Sequence, residues 1–419
     1  MYEEAAAALP QTQPPAGAEP TERVSRGWTA RFSLAWLGFW AAQFVPVQLT
    51  LPDELERIDP AHKIRDFGAI TGAAAVISLL TLPLCGALCD RTRSRWGRRR
   101  VWMAAGVALT AAGLVLAGFQ ATPIGLGLAW LWVTVGISAT TAGLTATVAD
   151  QVPEGQRGMI SGAMYAPQAV GIVAGIAAVS AFGLNSAQTY RMLAAALVLC
   201  AIPFILRYRD TAPVAAPPSS LWSPRRGMRA APRGPDFRWA LTSRLMVNLA
   251  NTLGVCYLLY FLTDQVHAVN PEDALLLLTL LYVLGMLVTS VLGGALSDRL
   301  GRRRVFVGVA VVLQGAAALA LALVPSLKVA TFAAAVFGAG FGTYMSVDQA
   351  LVTAVLPDAG SRARDLGLMN IASLVPQAFA PLAAGLIITT LGGYPALYVT
   401  TAVTAALSGF AVLRVRAVR

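Results

Sequence analysis

A carboxylate and a guanidinium lie inside long apolar stretches of this chain, where charged groups are rare. Asp348 precedes Pro357 by nine residues, which places it about 13 Å along a helix from that helix's end. An unpaired carboxylate within a hydrocarbon layer about 30 Å thick costs several kcal/mol, so Asp348 must be protonated, paired or in contact with water. Arg244, in another apolar stretch, is a candidate partner across a cavity. The pair predicts either a site that binds a solute or a proton, or an ion pair that only fixes helix packing.

Uncharged polar side chains accompany this pair. Asn248 and Asn251 follow Arg244 at helical spacing on one face, and Tyr344 precedes Asp348 by one turn. Hydrogen-bonding residues in other apolar stretches are candidates for the same midplane cavity, namely Gln43, Tyr165, Gln168, Asn370 and Gln377. For any single glutamine, the alternative is an interhelical hydrogen bond of about 0.6 kcal/mol.

A second group of candidates combines glycine, acid and base at matched spacing in two places. Gly86-Ala-Leu-Cys-Asp90-Arg91, followed by Gly97-Arg98, returns as Gly294-Ala-Leu-Ser-Asp298-Arg299, followed by Gly301-Arg302. An aspartate at a helix C-terminus is unfavourable unless a cation or another helix's N-terminus lies against it. A glycine four residues earlier lets a neighbouring helix approach closely. These residues therefore predict a cytoplasmic latch that forms in one conformation and breaks in another.

Two further residues extend the predicted latch. Asp150 and Arg157 flank another helix end, where they are candidates to exchange partners with the motif; a solvated loop is the alternative. Arginines that only anchor the chain at the membrane surface are the alternative for the motif itself, and this is the interpretation for Arg93, Arg95 and Arg100.

These candidate residues must be positioned by secondary-structure elements that cross an apolar layer. Hydrophobic residues make up 56% of the 419-residue chain and charged residues 13%, about half the charged share of a soluble protein. Apolar runs of helix-spanning length recur along nearly the whole chain, which excludes a soluble enzyme, a disordered chain and a disulfide scaffold. With about 20 apolar residues for each span, the sequence predicts an all-α integral membrane protein with twelve transmembrane helices.

A proline- and arginine-rich stretch divides the twelve helices into two sets of six. We predict a disordered cytoplasmic tail over 1–28, a six-helix bundle over 29–209, a cytoplasmic linker over 210–236, a second bundle over 237–414 and a cytoplasmic tail over 415–419. The latch motif recurs in the two sets, and Ala166-Pro167-Gln168-Ala169 returns as Val375-Pro376-Gln377-Ala378. The two bundles are therefore expected to be copies of one unit.

Basic residues predict the orientation of the helices. The net charge is +11, from 32 Lys+Arg against 21 Asp+Glu. If both termini are cytoplasmic, five basic residues fall on the opposite side, namely Arg57, Lys63, Arg65, Arg191 and Lys328. The asymmetry predicts a multi-pass protein of the cell membrane with both termini in the cytoplasm. The positive charge is then a signal of topology and not a nucleic-acid-binding surface.

From about residue 30 onward the chain resembles the major facilitator superfamily. The second copy of the latch motif fits the superfamily's loop motif at Gly294, Asp298, Arg299, Gly301, Arg302 and Arg303. The first copy is four residues longer and resembles the sucrose-transporter and glycoside-pentoside-hexuronide branches, as do Gln43-Phe44 and Gln48-Leu49. The resemblance implies two pseudo-symmetric six-helix bundles that transport a solute by alternating access.

The chain departs from these branches at two places. Melibiose-type relatives hold a cation with acids in the second and fourth helices, but here no acid precedes Asp90 or Asp150 in those helices. Sucrose carriers have a basic residue where Thr145 stands. A sodium site is therefore not expected, and the mechanism of the sucrose carriers does not transfer intact.

These observations predict a secondary transporter of a small organic solute, with proton-coupled uptake of a sugar or glycoside as the first hypothesis. Drug or natural-product efflux is the alternative, because the helices are apolar and rich in alanine. A membrane sensor that has lost transport is a hypothesis from another class. The sequence has no phosphate-binding loop and assembles no nucleophile or metal cluster, so no enzyme, cofactor or metal is expected. The expected partners are the substrate, protons and the lipid bilayer, without nucleic acid, and the chain is expected to be a monomer.

Overall fold

The computed structural model describes residues 23–210, 234–300, 303–355 and 362–415. Most of the predicted tail over 1–28 and linker over 210–236 lies outside these residues, as do Gly301, Arg302 and most of 415–419. The first helix begins at Arg26 and the first helix after the linker begins at Pro235, each within three residues of the predicted bundle boundaries.

The described part of the first half, residues 23–210, contains seven α-helices and one π-helix. They are α1 (Arg26–Val45), the π-helix (Pro46–Thr50), α2 (Leu51–Ile58), α3 (Lys63–Arg91), α4 (Arg98–Ala117), α5 (Pro123–Gln151), α6 (Glu154–Phe182) and α7 (Ser186–Arg207). The π-helix begins at Pro46, which has no backbone N–H to donate to the preceding turn, so the regular α-helical ladder is interrupted there.

The second half repeats this pattern within the described residues. Its helices are α8 (Pro235–Cys256), α9 (Leu258–Asp264), α10 (Pro271–Leu300), α11 (Arg303–Leu323), α12 (Leu327–Val355), α13 (Arg362–Thr390) and α14 (Gly393–Leu413). Eleven helical segments of the described chain are long and apolar enough to cross a membrane, and α8 with α9, bent by 41°, makes a twelfth if the pair is one span. The predicted all-α fold with twelve spans is confirmed.

The same helix pairings occur in both halves. In the first bundle α1 packs against α6 and α7, α5 against α3 and α4, and α4 against α7. In the second bundle α8 packs against α13 and α14, α12 against α10 and α11, and α11 against α14. Small residues permit these contacts: a Cβ built on Gly106 would lie 2.5 Å from the backbone nitrogen of Thr140, and one on Gly136 would lie 2.5 Å from that of Thr110. The repeated motifs therefore correspond to a repeated packing unit.

The turns between helices lie on two faces, which we name by their arginine content. The arginine-rich face carries the start of α1, the 92–97, 152–153 and 208–210 segments, and the end of α14. The arginine-poor face carries the 59–62, 118–122, 183–185, 265–270, 324–326 and 391–392 segments.

The two bundles meet near the arginine-poor face. There α3 packs against α13 and α6 against α10. A Cβ built on Gly68 would lie 3.7 Å from the Cα of Gly385, and one on Gly72 would lie 3.0 Å from the side chain of Leu382. Toward the arginine-rich face, a Cβ built on Gly86, Gly158 or Gly162 would meet no atom of the described residues within 4 Å. Within the described residues, the contacts between the bundles are therefore closer at the arginine-poor face.

Candidate functional site

A buried charged cluster joins three helices of the second bundle. The Nη1 atom of Arg244 in α8 lies 3.2 Å from the Oδ2 atom of Asp348 in α12, and their side chains are 8% and 5% exposed. Tyr344 donates a hydrogen bond to the other carboxylate oxygen of Asp348. The Nε of Arg244 donates to the hydroxyl of Ser373 in α13 at 2.8 Å. Both charges are therefore neutralised and hydrogen-bonded inside the bundle.

Within each helix, the residues of this cluster are one helical turn apart. Tyr344 and Asp348 are one turn apart on α12, and the side-chain amide of Asn248 donates to the backbone carbonyl of Arg244 one turn earlier on α8, at 2.8 Å. The structure therefore brings these four predicted residues together. It also corrects their placement: the Arg244–Asp348 pair lies within one bundle and does not cross the cavity between the bundles. The two helices that carry the pair are neighbours in the second bundle, so the charges are shielded by their own helices.

A second polar group lies nearer the arginine-poor face. Asn251, about 10 Å along α8 from Arg244, accepts a hydrogen bond from Tyr282 of α10 at 2.9 Å. Tyr282 lines a cavity of about 90 Å³ between the π-helix of the first bundle and the second bundle. The other lining residues are Gln48, Ile172, Gly254, Val255, Leu258, Leu278, Thr279, Val283, Leu321, Ala330, Ala333, Ala334, Phe337 and Tyr398. The cavity is therefore mainly aliphatic and aromatic, with a few hydrogen-bonding groups at its wall.

The predicted residues of the first bundle lie apart from the charged cluster. The ring of Tyr165, which is 53% exposed, stacks on that of Trp40 at 6.0 Å between centroids. Gln43 and Gln168 are half-buried, and Gln377 of the second bundle is exposed. Asn370 belongs to α13, but its side chain lies outside the described part of the structure. These four described side chains remain candidates for contact with a solute, although none belongs to the charged cluster.

Arg99 is the centre of an ionic network at the arginine-rich face. Its Nη1 lies 2.6 Å from Asp90 at the end of α3, and its Nε lies 2.8 Å from Asp150 at the end of α5. Arg98 also reaches Asp150, at 3.1 Å. The Arg99 side chain is 7% exposed. Three helix ends of the first bundle are thus joined through one buried guanidinium.

A carboxylate after α7 completes this network. The Oδ1 of Asp210 accepts a hydrogen bond from the backbone N–H of Arg99 at 3.1 Å, so it satisfies a free N–H at the start of α4. Gly97 precedes α4 with φ of 97°, and a Cβ there would lie 1.9 Å from the Oδ2 of Asp210. Burial and the nearby charges of Asp210 and Asp150 raise the pKa of the Tyr208 hydroxyl, which therefore remains protonated.

The predicted latch residues have different positions in the first bundle. Asp90, Arg98 and Asp150 share the Arg99 network, with Gly97 beside it, whereas Arg91 is exposed. The Nε of Arg157 donates to the backbone carbonyl of Val152 at 3.3 Å. A Cβ built on Gly86 would meet no atom of the described residues within 4 Å, so close packing of a helix on Gly86 stays a prediction.

The second copy of the motif is described only in part. Arg299 is exposed at the end of α10. Gly294 and Asp298 lie in α10, but their surroundings fall outside the described part of the structure, as do Gly301 and Arg302. The prediction for this copy therefore stays a prediction.

A further ionic cluster, which the sequence analysis missed, joins the two bundles at the arginine-poor face. Lys63 of α3 lies 2.6 Å from Asp264 at the end of α9 and 3.1 Å from Glu56 of α2. The hydroxyl of Tyr394 donates to Asp264 at 2.7 Å, and the Lys63 ammonium lies 5.0 Å from the centre of the Tyr260 ring. We name these five residues the inter-bundle clasp. Lysine is rare in this chain, and that rarity was the available signal.

Two repeated helix bundles joined at one face, the second of which contains a buried charged cluster, define a multi-pass membrane protein of the transporter class. The chain belongs to the Major Facilitator Superfamily, whose family model matches residues 32–268 and 245–419. Family and fold indicate a transporter, not an enzyme.

Two curated relatives match part of the chain. Each is named multidrug resistance protein Stp, from two strains of Mycobacterium tuberculosis, and is 33% identical over 129 residues. The match spans 30% of this chain and 24% of the relative. The resemblance to sucrose and glycoside carriers finds no support in these matches.

Solved transporter structures share the fold over nearly the whole chain. A mutant of the nucleoside transporter NupG is 13% identical with a TM-score of 0.71, and the match covers 93% of this chain and 99% of that one. A bacterial homolog of the human lysosomal transporter Spinster, inward-facing and occupied, is 19% identical with a TM-score of 0.65 and coverage of 94% and 95%. A POT family transporter with a bound thioalcohol-conjugated peptide is 12% identical with a TM-score of 0.71 and coverage of 93% and 95%. At these identities the likeness concerns the fold alone.

Proposed function

We propose that this protein moves a small organic solute by alternating access and couples that movement to protons through Asp348. The observation that carries the coupling proposal is the buried Arg244–Asp348 pair at 3.2 Å, held by Tyr344 and Ser373. A carboxylate buried in a membrane helix is costly to retain unless it serves a purpose. In this proposal both termini and the arginine-rich face are cytoplasmic, because basic residues concentrate there.

Protonation of Asp348 would change the electrostatic energy of this cluster. When Asp348 takes a proton, its charge is removed and the attraction to Arg244 is lost, while Ser373 still accepts a hydrogen bond from the guanidinium. Breaking a buried pair leaves an uncompensated charge and costs roughly 3–5 kcal/mol. The protonated state would therefore favour an arrangement in which Arg244 meets water or a solute, and release of the proton would favour the pair again.

The cavity chemistry favours an amphipathic solute. Its walls are mostly aliphatic and aromatic, with Gln48, Thr279 and Tyr282 as hydrogen-bonding groups, a composition that suits apolar molecules with a few oriented polar atoms. Its volume is about 90 Å³, below the roughly 300–1,000 Å³ of drug-sized sites, so a solute requires the cavity to widen. The match to multidrug resistance protein Stp, over 30% of this chain, fits drug or natural-product efflux but does not outweigh uptake. Uptake of a sugar or glycoside is the second candidate. Its support is the polar group formed by Asn251 and Tyr282, together with the branch-like loop after α3.

The coupling proposal is tested with the purified full-length protein in proteoliposomes under an imposed proton gradient. A panel of amphipathic drugs and a panel of sugars and glycosides separate the two substrate classes. If the protein transports no compound of either panel, the result favours a non-transporting sensor. With a substrate in hand, Asp348→Asn should abolish accumulation against a gradient and preserve downhill exchange. Full gradient-driven accumulation by this variant would refute the coupling role.

Stability measurements separate coupling from packing. Arg244→Ala and the double substitution complete a thermodynamic cycle with Asp348→Asn. If each single variant unfolds at lower temperature and the double variant recovers both stability and accumulation, the pair is structural. Recovery of stability without accumulation supports the proposal.

A further inference from the structure

A groove open to the membrane runs between α11 and α14 at the arginine-rich face. It has a volume of about 440 Å³, and its lining is almost wholly apolar apart from Arg304 at one end. The residues along its length include Val305, Gly308, Val309, Val312 and Leu413. Val305 is 54% exposed and Val312 is 67% exposed. In a membrane-spanning bundle, exposed aliphatic residues of this kind face lipid.

The groove has the length of one leaflet of a bilayer. From Arg304 to Leu313 the helix rises about 13.5 Å, and half of the hydrocarbon core is about 15 Å. Gly308 forms part of the groove wall, and a Cβ built on it would meet no atom within 4 Å in the part of the chain that the structure describes. The missing side chain therefore leaves room for one acyl chain along α11.

Arg304 supplies a cation where a lipid headgroup would lie. It belongs to the first turn of α11, at the arginine-rich membrane face, and its side chain is half-buried. Its Nε is shielded from water and has no acceptor among the described residues. Buried N–H groups are normally hydrogen-bonded, and a guanidinium pairs well with a phosphate. Among the described residues, the groove thus combines an apolar channel with a cation at its end whose Nε has no acceptor.

The equivalent place in the first bundle has an acid nearby. By the repeated motif, Arg304 corresponds to Arg100, whose backbone N–H, and not its guanidinium, lies 3.5 Å from the Oδ2 of Asp210. Asp210 is the third residue after α7, and the third residue after α14 is Arg416. The second copy therefore has a base in its sequence where the first has an acid.

We propose that this groove binds an anionic phospholipid, with the headgroup phosphate on Arg304 and one acyl chain along α11 past Gly308. The site is separate from the charged cluster of Arg244 and Asp348, and its occupant comes from the bilayer.

The test titrates delipidated full-length protein in detergent with phosphatidylglycerol or phosphatidylcholine and counts bound lipids by native mass spectrometry. Wild type should bind phosphatidylglycerol about tenfold more tightly, because its phosphate is a net negative charge for Arg304, whereas the choline ammonium of phosphatidylcholine offsets the phosphate beside it. Arg304→Ala should remove this preference. Gly308→Leu should weaken binding of both lipids, because it fills the groove without changing the charge. Leucine there projects into open space and favours the helix, so this variant is expected to fold.

Arg414→Ala is the matched control. Arg414 is an arginine just past the end of α14, and its guanidinium lies over the rings of Trp239 and Phe410 at 5.9 and 4.8 Å. This variant should keep the lipid preference. Equal affinity of wild type for the two lipids, or equal loss in Arg304→Ala and Arg414→Ala, would overturn the proposal. It would also be overturned if inorganic phosphate displaced the lipid fully and Gly308→Leu had no effect, since a phosphate alone would then suffice. If Arg304→Ala fails to fold, Gly308→Leu decides the outcome.

Discussion

The inter-bundle clasp allows a quantitative prediction about access at the arginine-poor face. Lys63 and Asp264 belong to different bundles and lie 2.6 Å apart, so their pair must break when this face opens. Each keeps a partner in its own bundle: Glu56 lies 3.1 Å from Lys63, and Tyr394 donates to Asp264 at 2.7 Å. Opening therefore breaks one ion pair without leaving an isolated charge.

The side-chain exposures set the magnitude. The Lys63 side chain is 11% exposed and that of Asp264 is 26% exposed, so the pair lies between an exposed one, worth about 0–1 kcal/mol, and a buried one, whose disruption costs roughly 3–5 kcal/mol. We expect about 1–2 kcal/mol, which corresponds to a 5–30-fold shift of an equilibrium. Lys63→Ala should shift the population by this factor toward the state that is open at the arginine-poor face.

The shift can be measured as a distance between the bundles. Spin labels at Arg191 and Val269, introduced as cysteines into a chain without the four native ones, report the separation across this face. Arg65→Ala is the matched control, because Arg65 is 65% exposed and pairs with Asp66 of its own helix. Lys63→Ala and Asp264→Ala should each lengthen the distance, and the double variant should add little to either. An unchanged distribution in Lys63→Ala, or strictly additive effects of the two substitutions, would refute the reasoning.

Two predictions concern the network at the arginine-rich face. Arg99→Ala should lower the free energy of unfolding by about 2–3 kcal/mol, which is less than for a fully buried pair because Asp90 is half-exposed and screened. Substitution of the exposed Arg91 by alanine should change the free energy of unfolding by at most about 0.5 kcal/mol. Equal thermal unfolding of the two variants would contradict the central role of Arg99. Gly97→Ala should cost at least about 1 kcal/mol, because φ is 97° and the new Cβ would contact Asp210; a variant as stable as wild type in the same thermal assay would show that the backbone there relaxes freely.

Features of the fold and the site could be predicted from the sequence where few arrangements of a residue are energetically acceptable. Asp348 had to find a partner because an isolated charge in hydrocarbon is costly, and Arg244 was the one basic residue deep in a predicted span. The number of spans followed from apolar length, and the recurrence of the motif indicated the repeat. These features depend on composition and spacing, which a single sequence contains.

Other features depend on how helices meet. Three consecutive arginines follow Gly97, and only the start of α4 determines that Arg99 points inward. Lys63 and Asp264 are 201 residues apart, so no local pattern relates them. Close packing on Gly86 stays a prediction, because a contact there depends on which face of the protein is closed, and the sequence does not reveal that.

The charged cluster lies within one bundle, and this limits the conformational changes to which protonation can be coupled. If the bundles rotated as rigid bodies, Arg244, Asp348 and Ser373 would travel together and their distances would not change. A link between the proton and the path of the solute therefore requires α8 to slide or bend relative to α12 within its own bundle. The break between α8 and α9 lies on that same helix, and Tyr257 at the break donates to Ile64 of the opposite bundle at 3.1 Å. Movement of α8 near Arg244 would thus be transmitted to the interface between the bundles at the helix break, where Tyr257 contacts the first bundle.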